Sequence, residues 1–453
     1  MKVLLINPPL THNKKSQKRC VEPMGLASMA AVLENNGFTV KILDCMVEGY
    51  DVEEEVDEKR RTYGLTDGEI RRVIEEYQPD IVGVSCLMSM NSHNAHRMCR
   101  IAKEVNPKIE TVMGGSHVGA MPEETLRDPN VDRVVIGEGE ISMLEIVSGR
   151  AKDKIISSPP MNLENLPMPA RHLLPMEKYI KINMPASTYA PSDRVIQIET
   201  SRGCSFGCCF CTVKNLWGKW RARPPANVLA EVRFLIDEYE VEELDIIDSN
   251  FTFNRKHMIE ILNGLVGMGV KWATPGGTWV GGLDEEVLDL MRRSGCYQLS
   301  LAVESANERI LREVIHKPIK LERVKPLVKY CHKIGIDTHV FFVTGFPEET
   351  VADMKRNYDF ARECRFSSAS FHLITPYPGS DIFQKYPPED LARIETKSVN
   401  IHHPELSDAE LEELVDGFNK RFNRSLLWRN PRRFFSKYGG NLLRRRNINF
   451  GRQ

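Results

Sequence analysis

Two stretches of the sequence alternate short apolar runs with segments of helical periodicity, and a proline-rich stretch lies between them. In residues 1–150 the apolar runs are KVLLIN, FTVKILD, DIVGVSCL, ETVMGGSH and DRVVIGEGE, and helical segments such as NAHRMCRIAKEV separate them. Strands and helices that alternate in this way assemble into a parallel sheet with helices on both faces. We therefore expect an N-terminal doubly wound, Rossmann-like α/β domain over residues 1–150.

The same alternation returns in residues 186–400, where six apolar runs are each followed by a helical segment or a turn. These runs are VIQIETS, ELDIIDS, KWATPGG, YQLSLAVES, DTHVFFVTGF and SASFHLITPYPG. Six βα units in series predict a partial (β/α)6 barrel with its chemistry at the carboxyl ends of the strands. Residues 151–185 contain SSPPMNLENLPMPARHLLP, with five prolines in nineteen residues, and are predicted to form a linker.

Composition excludes several classes of protein. Hydrophobic residues make up 42% and charged residues 27% of the chain, which indicates a folded protein rather than a disordered one. The opening MKVLLINPPL is too short for a signal peptide, and no run approaches the ~20 apolar residues of a membrane span. Eleven cysteines, mostly isolated, favour a reducing cytoplasm.

The carboxyl ends of the first-domain strands carry small residues. An open parallel sheet binds ligands at this edge, which favours a nucleotide-like or corrinoid ligand here. The alternative is that the glycines only close tight strand-to-helix turns. The candidate ligand-binding residues at this edge are Ser85, Gly114, Gly115, Ser116, Gly137 and Gly139.

Residues 203–211, GCSFGCCFC, hold four cysteines in eight positions, directly after the first strand of the second domain. A disulfide among such close neighbours would be strained, and a structural zinc site would need a second ligand pair that the chain lacks. The spacing of Cys204, Cys208 and Cys211 supplies three thiolates for a four-iron cluster, whereas a cluster that only carries electrons is closed by four. The fourth iron would then be open to a ligand.

This C-x3-C-x2-C pattern, with Phe210 as the aromatic before the last cysteine, resembles the radical S-adenosylmethionine (SAM) superfamily. The resemblance implies a [4Fe-4S] cluster held by Cys204, Cys208 and Cys211, with Cys209 left as a spectator. It also implies that the open iron binds the amine and carboxylate of SAM. A one-electron donor such as flavodoxin or ferredoxin would then allow cleavage to the 5′-deoxyadenosyl radical.

Three further strand ends match cofactor contacts of that superfamily. Ser249 and Asn250, in DSNF, occupy the place of the motif that binds the methionyl amine. Glu304, in LAVES, matches the position that contacts the methionyl or ribose part, although a strand-end glutamate taken alone is more often a solvated cap. Gly345 and Pro347, in GFPE, match the turn near adenine.

The first domain, with NPP, GLASMAAVLE, GGSH and GEGE in this order before such a barrel, resembles the cobalamin-binding subfamily over about residues 1–400. The D-x-H-x-x-G loop that supplies a histidine to cobalt in many cobalamin proteins is missing, since the chain reads NPPLTHNKK. His12 lacks the spacing of that motif. We expect cobalamin without a protein histidine on the metal.

The resemblance implies methylation of an unactivated carbon or phosphorus centre, by methylcobalamin and the 5′-deoxyadenosyl radical, on a small-molecule or lipid-borne substrate. One alternative is a non-methylating cyclisation, rearrangement or oxidation with the same cofactors. Another is a radical SAM enzyme whose first domain binds no corrin. Methylthiolation is disfavoured, because the N-terminal cysteines lack the grouping for a second cluster. No catalytic residue is assigned.

Residues 401–453 are predicted to form a helical, basic C-terminal region. From Lys420 onward there are eleven Lys or Arg residues and no Asp or Glu, and Phe418, Phe422 and Leu426 recur four apart. One reading is a helix packed on the barrel with a solvated basic face. The other is peripheral attachment to an anionic membrane surface, with nucleic acid ranked last.

Overall fold

Two parallel six-stranded sheets form the frame of the molecule. The computed structural model describes residues 1–429 apart from positions 15, 17, 184, 389, 390, 392, 393 and 395–397, and apart from the side chains of residues 426–429. The predicted α/β class with two parallel sheets is confirmed.

In the described part of the first 156 residues the strands are β1 (Lys2–Asn7), β2 (Leu10–Asn13), β3 (Thr39–Asp44), β4 (Glu53–Glu55), β5 (Arg60–Tyr63), β6 (Ile81–Ser85), β7 (Glu110–Gly114), β8 (Arg133–Val135) and β9 (Ile155–Ile156). The helices up to the second sheet are α1 (Met24–Asn35), α2 (Cys45–Glu48), α3 (Asp67–Tyr77), α4 (Ser92–Val105), α5 (Ser116–Ala120), α6 (Pro122–Thr125), α7 (Gly139–Val147) and α8 (Met176–Ile182).

The second sheet and its connections contain strands β10 (Val195–Ile198), β11 (Ser201–Arg202), β12 (Arg221–Ala222), β13 (Glu243–Ile246), β14 (Lys271–Thr278), β15 (Cys296–Glu304), β16 (Asp337–Thr344) and β17 (Ser368–Leu373). The helices are α9 (Val213–Leu216), α10 (Pro225–Tyr239), α11 (Arg255–Leu265), α12 (Glu285–Arg293), α13 (Val324–Lys333), α14 (Val351–Glu363), α15 (Asp381–Lys385) and α16 (Asp408–Arg429). A π-helical segment covers Ile310–Ile315.

The first sheet has the order β3-β1-β6-β7-β8-β9, and the second has the order β10-β13-β14-β15-β16-β17. In β1 the run Val3, Leu4, Leu5 and Ile6 is completely buried, as expected for a central strand with helices on both faces. Chain order equals spatial order in the second sheet, so each right-handed crossover adds one neighbour and the sheet curves into a partial barrel.

The proline-rich stretch carries secondary structure of its own. Strand β9 completes the first sheet, and α8 follows within the same predicted linker. The second half of the stretch is bonded to both units: the Arg171 guanidinium lies 2.5 Å from Glu231 of α10, and the Tyr179 hydroxyl donates to Asp44 of β3 at 2.5 Å. The stretch therefore forms a packed layer between the two units, while the predicted domain limits stay predictions.

A small antiparallel sheet, in the order β2-β5-β4, was not expected from the sequence. Its edge strand β4 consists of Glu53, Glu54 and Glu55, a charge run that is more typical of a loop. The sheet forms because β5 pairs with both neighbours and because Thr11 and Thr62 share a buried hydrogen bond of 2.7 Å between their hydroxyl groups.

A segment just before β10 closes the amino-terminal end of the barrel. The backbone N–H groups of Ala186 and Ser187 donate to the Asp245 carboxylate, and Thr188 and Gln298 exchange two hydrogen bonds. Beneath the segment, the Tyr297 hydroxyl donates to the buried carboxyl group of Glu243. The barrel is thus plugged at this end, and its opposite end remains for chemistry.

The C-terminal helix α16 packs on the outer face of β17. Phe418 and Phe422 are buried there against Phe371 and Tyr358, and Asn419 exchanges two hydrogen bonds with the Phe371 backbone. At these two positions the predicted apolar stripe belongs to the core. The Leu426 side chain and residues 430–453 lie outside the described residues. In the part of the chain that is described, no helix has the length and apolar character to span a membrane.

The Glu243 carboxyl predicts a pH-dependent stability. Burial raises its pKa from 4.5 to about 8, so the native state holds a proton that the unfolded chain releases at lower pH. This contribution is fully present below 4.5 and is lost as pH rises through about 8, a change on the order of a few kcal/mol. In Glu243→Gln, thermal unfolding should therefore lose less stability across this window than in the wild type. Glu242→Gln, which alters an exposed neighbour, should follow the wild type, and equal slopes for all three proteins would contradict the assignment.

Candidate active site at the domain junction

The cysteine loop is a hairpin loop whose ends are fixed by backbone pairing. Strands β11 and β12 pair antiparallel, with Arg202 opposite Arg221. Gly203 follows with φ +83°, and a Cβ at this position would lie 2.4 Å from the Lys219 carbonyl oxygen. The Cys204 N–H then donates to the Gly218 carbonyl at 3.2 Å. Only glycine fits at position 203, and this fit sets the direction in which the loop leaves the barrel.

Asp248, which follows β13, holds the start of this loop from below. Its buried carboxylate accepts from the Thr200 backbone at 2.6 Å and from the hydroxyls of Thr200 and Ser201 at 2.5 Å each. Burial raises the pKa of Asp248, although these donors oppose the change. The adjacent Ser249 and Asn250 follow the same strand end, with Ser249 half-buried and Asn250 buried.

The four cysteines fall into two groups. Cys204, Cys208 and Cys211 are half-buried, whereas Cys209 is buried in an apolar cluster with Ile310 and Phe346. The Cys209 backbone is fixed on both sides, since its N–H donates to the Ile315 carbonyl and its own carbonyl accepts from Ile382. The loop therefore presents three thiols and turns the fourth into the core.

Among the described residues, no three thiol, imidazole or carboxylate groups converge as they would on a single metal ion. A four-iron cluster makes a different demand, because each thiolate binds its own iron. Three spaced thiols in one loop fit such a cluster, and they do not fit a closed zinc site.

Glu304 at the end of β15 is buried and paired, so it is not a solvated cap. A register shift between Ala302 and Glu304 interrupts the pairing with β16, and Glu304 has φ +68°. Bulges and left-handed backbone of this kind re-aim side chains near functional sites. Its carboxylate accepts from the buried Lys317 ammonium at 2.7 Å.

Lys317 is a site residue that the sequence did not reveal. Burial works against its charge, but the nearby carboxylate of Glu304, and Cys208 and Cys204 as thiolates, raise its pKa. It follows the π-helical segment and His316, whose φ is +63°, so no helical or strand periodicity marks its position. Its ammonium is thus held between the cysteine loop and Glu304.

The GFPE turn follows β16 as the sequence predicts. Gly345 has φ +87°, and the buried carboxylate of Glu349 accepts from the N–H groups of Gly345 and Phe346 at 2.7 and 3.1 Å. Phe346 also lies near Phe210, with ring centroids 6.5 Å apart. The turn, including the half-buried Pro347, is therefore next to the cysteine loop.

At the carboxyl edge of the first sheet, the loops after β6 and β7 lie against each other. The Cys86 N–H donates to the Gly114 carbonyl at 2.7 Å, and Gly115, with φ +113°, fits against the Cys86 backbone, where a Cβ would be 2.5 Å from its carbonyl oxygen. Ser116 donates to the Leu87 carbonyl. Gly115 thus has a packing role within the fold.

The other glycines at this edge differ in their surroundings. A Cβ at Gly139 would meet the Met29 side chain at 2.3 Å, so this position is small because α1 packs on it. A Cβ at Gly114 would make only ordinary van der Waals contacts, the nearest with the Val135 side chain at 3.6 Å. Gly137 has φ +83°, and a Cβ at this position would lie 3.9 Å from the Leu216 carbonyl oxygen of α9.

Two large apolar side chains are exposed beside the half-buried Ser85. Leu87 and Met88 are 60% and 50% exposed, which is unusual for neighbouring apolar residues in a folded domain. Of the nearby histidines, His117 lies 3.0 Å from the Ser89 hydroxyl, and burial lowers its pKa to about 4. The ring nitrogens of His12 are buried, and its ring packs on Tyr63. An edge that exposes the apolar side chains of Leu87 and Met88 fits an apolar macrocycle.

This edge meets the cysteine loop directly. Helix α9, only two residues after Cys211, lies against α5 of the first domain. On its other side the Asn215 side chain donates to the Gly379 carbonyl, and Lys214 pairs with Asp381 at 2.6 Å. The loop therefore lies between the first-sheet edge and the barrel mouth, so ligands of both domains would face one space.

A doubly wound domain with an apolar ligand edge, joined at that edge to a partial barrel with a three-thiol loop, defines a cobalamin-binding radical SAM enzyme. Two family models match accordingly, the B12 binding domain at residues 15–147 and the radical SAM superfamily at residues 198–361. The chain belongs to this family, whose cofactors are a [4Fe-4S] cluster, SAM and cobalamin.

Its relatives include methyltransferases. Cytidylyl-2-hydroxyethylphosphonate methyltransferase of Streptomyces wedmorensis is 38% identical over 93% of this chain and 90% of the relative. An anaerobic magnesium-protoporphyrin IX monomethyl ester cyclase of Rubrivivax gelatinosus is 30% identical over 85% of this chain and 70% of the relative. The structure of the methyltransferase TsrM from Kitasatospora setae, with cobalamin and a [4Fe-4S] cluster bound, superposes with a TM-score of 0.66 over 85% of this chain and 77% of that chain, at 19% identity.

Gly203 and Gly207 provide a matched test of the loop geometry. Gly203→Ala should cost about 1–2 kcal/mol for the left-handed backbone and more for the clash with Lys219, so reconstitution with iron and sulfide should give much less cluster absorbance. Gly207 has open space around its would-be Cβ, and Gly207→Ala should reconstitute as the wild type does. Full cluster content in Gly203→Ala would contradict the loop geometry.

Proposed function

We propose that the protein transfers a methyl group to an unactivated carbon of a small molecule bound between the two domains. The observation that supports this most is the position of the cysteine loop, with α9 against the first-sheet edge and Phe210 near the barrel turn after β16. A radical formed at the loop and a methyl group carried at the sheet edge could then reach one substrate. Productive transfer requires reacting atoms within about 3.5 Å, which a shared cavity permits.

The proposed ligand contacts fall into two sets, with the cluster and SAM held by the second domain and the corrin by the first. Cys204, Cys208 and Cys211 would hold the cluster, and Ser249, Asn250, Glu304, Gly345 and Pro347 would bind SAM with Phe210. Ser85, Gly114, Gly115, Ser116, Gly137 and Gly139 would line the corrin, and we add Leu87 and Met88. When bound, the cluster and SAM supply a carbon radical, and the corrin supplies the methyl group. The packing of His12 and His117 into the fold supports the expectation that no protein histidine binds cobalt.

The inner face of the barrel offers a substrate site. Phe342 and Phe371 stack on the helical side of β16 and β17, so the alternate residues Phe341, Ser370 and His372 face inward. His372 is exposed and lies 6.0 Å from Phe341 between ring centroids. An aromatic surface beside imidazole and hydroxyl groups suits a substrate with a heterocycle and an anionic group, as in a nucleotidylated phosphonate.

The first substrate to test is therefore cytidylyl-2-hydroxyethylphosphonate, on which the relative from Streptomyces wedmorensis acts. Protein reconstituted anaerobically with iron, sulfide and cobalamin should convert it to a product heavier by one methylene unit. With methyl-deuterated SAM the added group should carry the label. The control is protein reconstituted without cobalamin, which should give 5′-deoxyadenosine but no methylated product.

The relationship to the cyclase from Rubrivivax gelatinosus favours a second candidate, an oxidative ring closure with the same cofactors. Product mass separates the two functions. If cell extracts incubated with the reconstituted protein gave only products of unchanged mass or products that had lost two hydrogens, methyl transfer would be contradicted.

The assignment of the cluster ligands has its own test. Alanine at Cys204, Cys208 or Cys211 should abolish cluster absorbance and SAM cleavage. Cys209→Ala should retain both, because that side chain is buried among apolar groups. A Cys209 variant without a cluster, together with a Cys208 variant that keeps one, would overturn the assignment.

Two partners belong to the proposal. Flavodoxin or ferredoxin would supply the electron. Such donors are reduced in the cytoplasm, and a cytoplasmic location agrees with the eleven free cysteines of the chain. Residues 430–453, with seven Lys or Arg and no acidic residue, would attach the protein to an anionic membrane surface.

The membrane proposal predicts that the full chain floats with anionic vesicles and not with neutral ones. A chain that ends at Arg429 keeps α16 and its buried Phe418 and Phe422, so it should fold and remain unbound. Equal flotation of both chains, or of neither, would remove the proposal.

A further inference from the structure

The two glutamates of the GEGE motif, Glu138 and Glu140, form buried contacts with the barrel. They follow β8, they are only 5% and 3% exposed, and both carboxylates pair with an arginine of the second domain. Their partner Arg202, 2% exposed, stands two residues before Cys204.

The contacts surround the base of the cysteine loop. The Arg202 guanidinium lies 3.0 Å from Glu138, 2.9 Å from Glu140 and 2.7 Å from Glu199. Arg221, opposite Arg202 in the β11–β12 hairpin, pairs with Glu138 as well. The Trp217 ring, on the same loop, lies 4.8 Å from the Arg202 guanidinium. Glu138 thus binds both strands from which the loop emerges.

Burial makes this arrangement intolerant of displacement. Removing an ion from water costs several kcal/mol, which a partner offsets only at good geometry, and a buried charge without its partner is strongly destabilising. Burial itself disfavours the charge of Arg202, but the carboxylates of Glu140, Glu199 and Glu138 raise its pKa above the ordinary value. A shift of the loop relative to the first domain would separate these charges with no water to replace them.

We propose that Glu138 and Glu140 are positioning residues that hold Arg202, and with it the cluster loop, in one orientation to the corrin edge. This inference rests on the assignment of the cluster to Cys204, Cys208 and Cys211. The two glutamates contact no reacting atom and act through Arg202 and Arg221. Their effect is on the geometry between the two cofactors, and the amount of each cofactor bound is unaffected.

The test compares Glu138→Gln with Glu231→Gln in the reconstituted full chain. Glu231, on α10, is an equally buried carboxylate whose ion pairs in the described part of the chain are with Arg171 and Arg223. Arg223 follows β12, but its N–H donates to the Thr200 carbonyl and its guanidinium to the Glu199 carbonyl, and neither bond involves Glu231. The loss of the Glu231 charge should therefore reduce stability and leave the contacts of Arg202 with the first domain in place. The readout is the dipolar interaction between cob(II)alamin and the reduced cluster in pulsed electron paramagnetic resonance, which needs no substrate. The wild type and Glu231→Gln should show the same narrow distance distribution, and Glu138→Gln a broader or shifted one.

Turnover gives a second readout. A misplacement of about 1 Å lowers the rate of a positioned reaction by up to about 100-fold, so radicals should be formed without methyl transfer. The ratio of 5′-deoxyadenosine to methylated product should rise about tenfold or more in Glu138→Gln, and it should stay near the wild-type value in Glu231→Gln.

The remaining outcomes are decisive as well. If Glu138→Gln fails to fold, Glu140→Gln takes its place, since Arg202 then keeps Glu138 and Glu199. Unchanged distances and product ratios in the folded variant, or the same changes in Glu231→Gln, would overturn the positioning role. Wild-type protein that binds cobalamin but assembles no cluster would instead overturn the cluster assignment, and the positioning role with it.

Discussion

The buried contact of Arg202 with Glu138, Glu140 and Glu199 is the interaction on which the rest of the site depends. The two sheets share no strand, so among the described residues no strand pairing fixes one relative to the other. Besides the packed stretch between the two units, a charge network without solvent restrains their relative position, because its energy falls steeply with displacement. It does so at the base of the cysteine loop, where orientation affects chemistry most.

Local constraints then carry this orientation to the thiols. Asp248 holds Thr200 and Ser201, Gly203 sets the exit direction, and the Cys209 backbone fixes the far side of the loop. Lys317 and Glu304 form a buried ion pair beside it. The loop is thus positioned from the first domain, from the barrel and from its own hairpin, which suits a site that must deliver a radical to one atom.

Periodicity in the sequence predicted the strands of both sheets except β9, because a parallel strand buried on both faces is a short apolar run wherever it occurs. Strand β9 has only two residues, Ile155 and Ile156, and lies within the predicted linker. It did not predict the β2-β5-β4 sheet, whose strands include the charged run of Glu53–Glu55. The sequence predicted the cysteine motif because its three proposed ligands are close together in the chain. Glu138 and Arg202 are 64 residues apart and Arg221 is 83 from Glu138, so no local pattern joins them. Gly115 and Gly139 stood out in sequence as candidate ligand contacts, and the structure adds a packing reason for their small size, against Cys86 and Met29.

The central claim is that a radical formed at the cysteine loop and a methyl group carried at the first-sheet edge reach one substrate. In the proposed reaction one SAM would methylate the corrin and a second SAM would give the radical. The most direct measurement is the ratio of S-adenosylhomocysteine to 5′-deoxyadenosine formed per methylated product, with the test compound of the proposed function and a chemical reductant present. The account predicts equal amounts of all three, because one SAM supplies the methyl group and another supplies the radical. Methylated product formed with S-adenosylhomocysteine but without 5′-deoxyadenosine would contradict it.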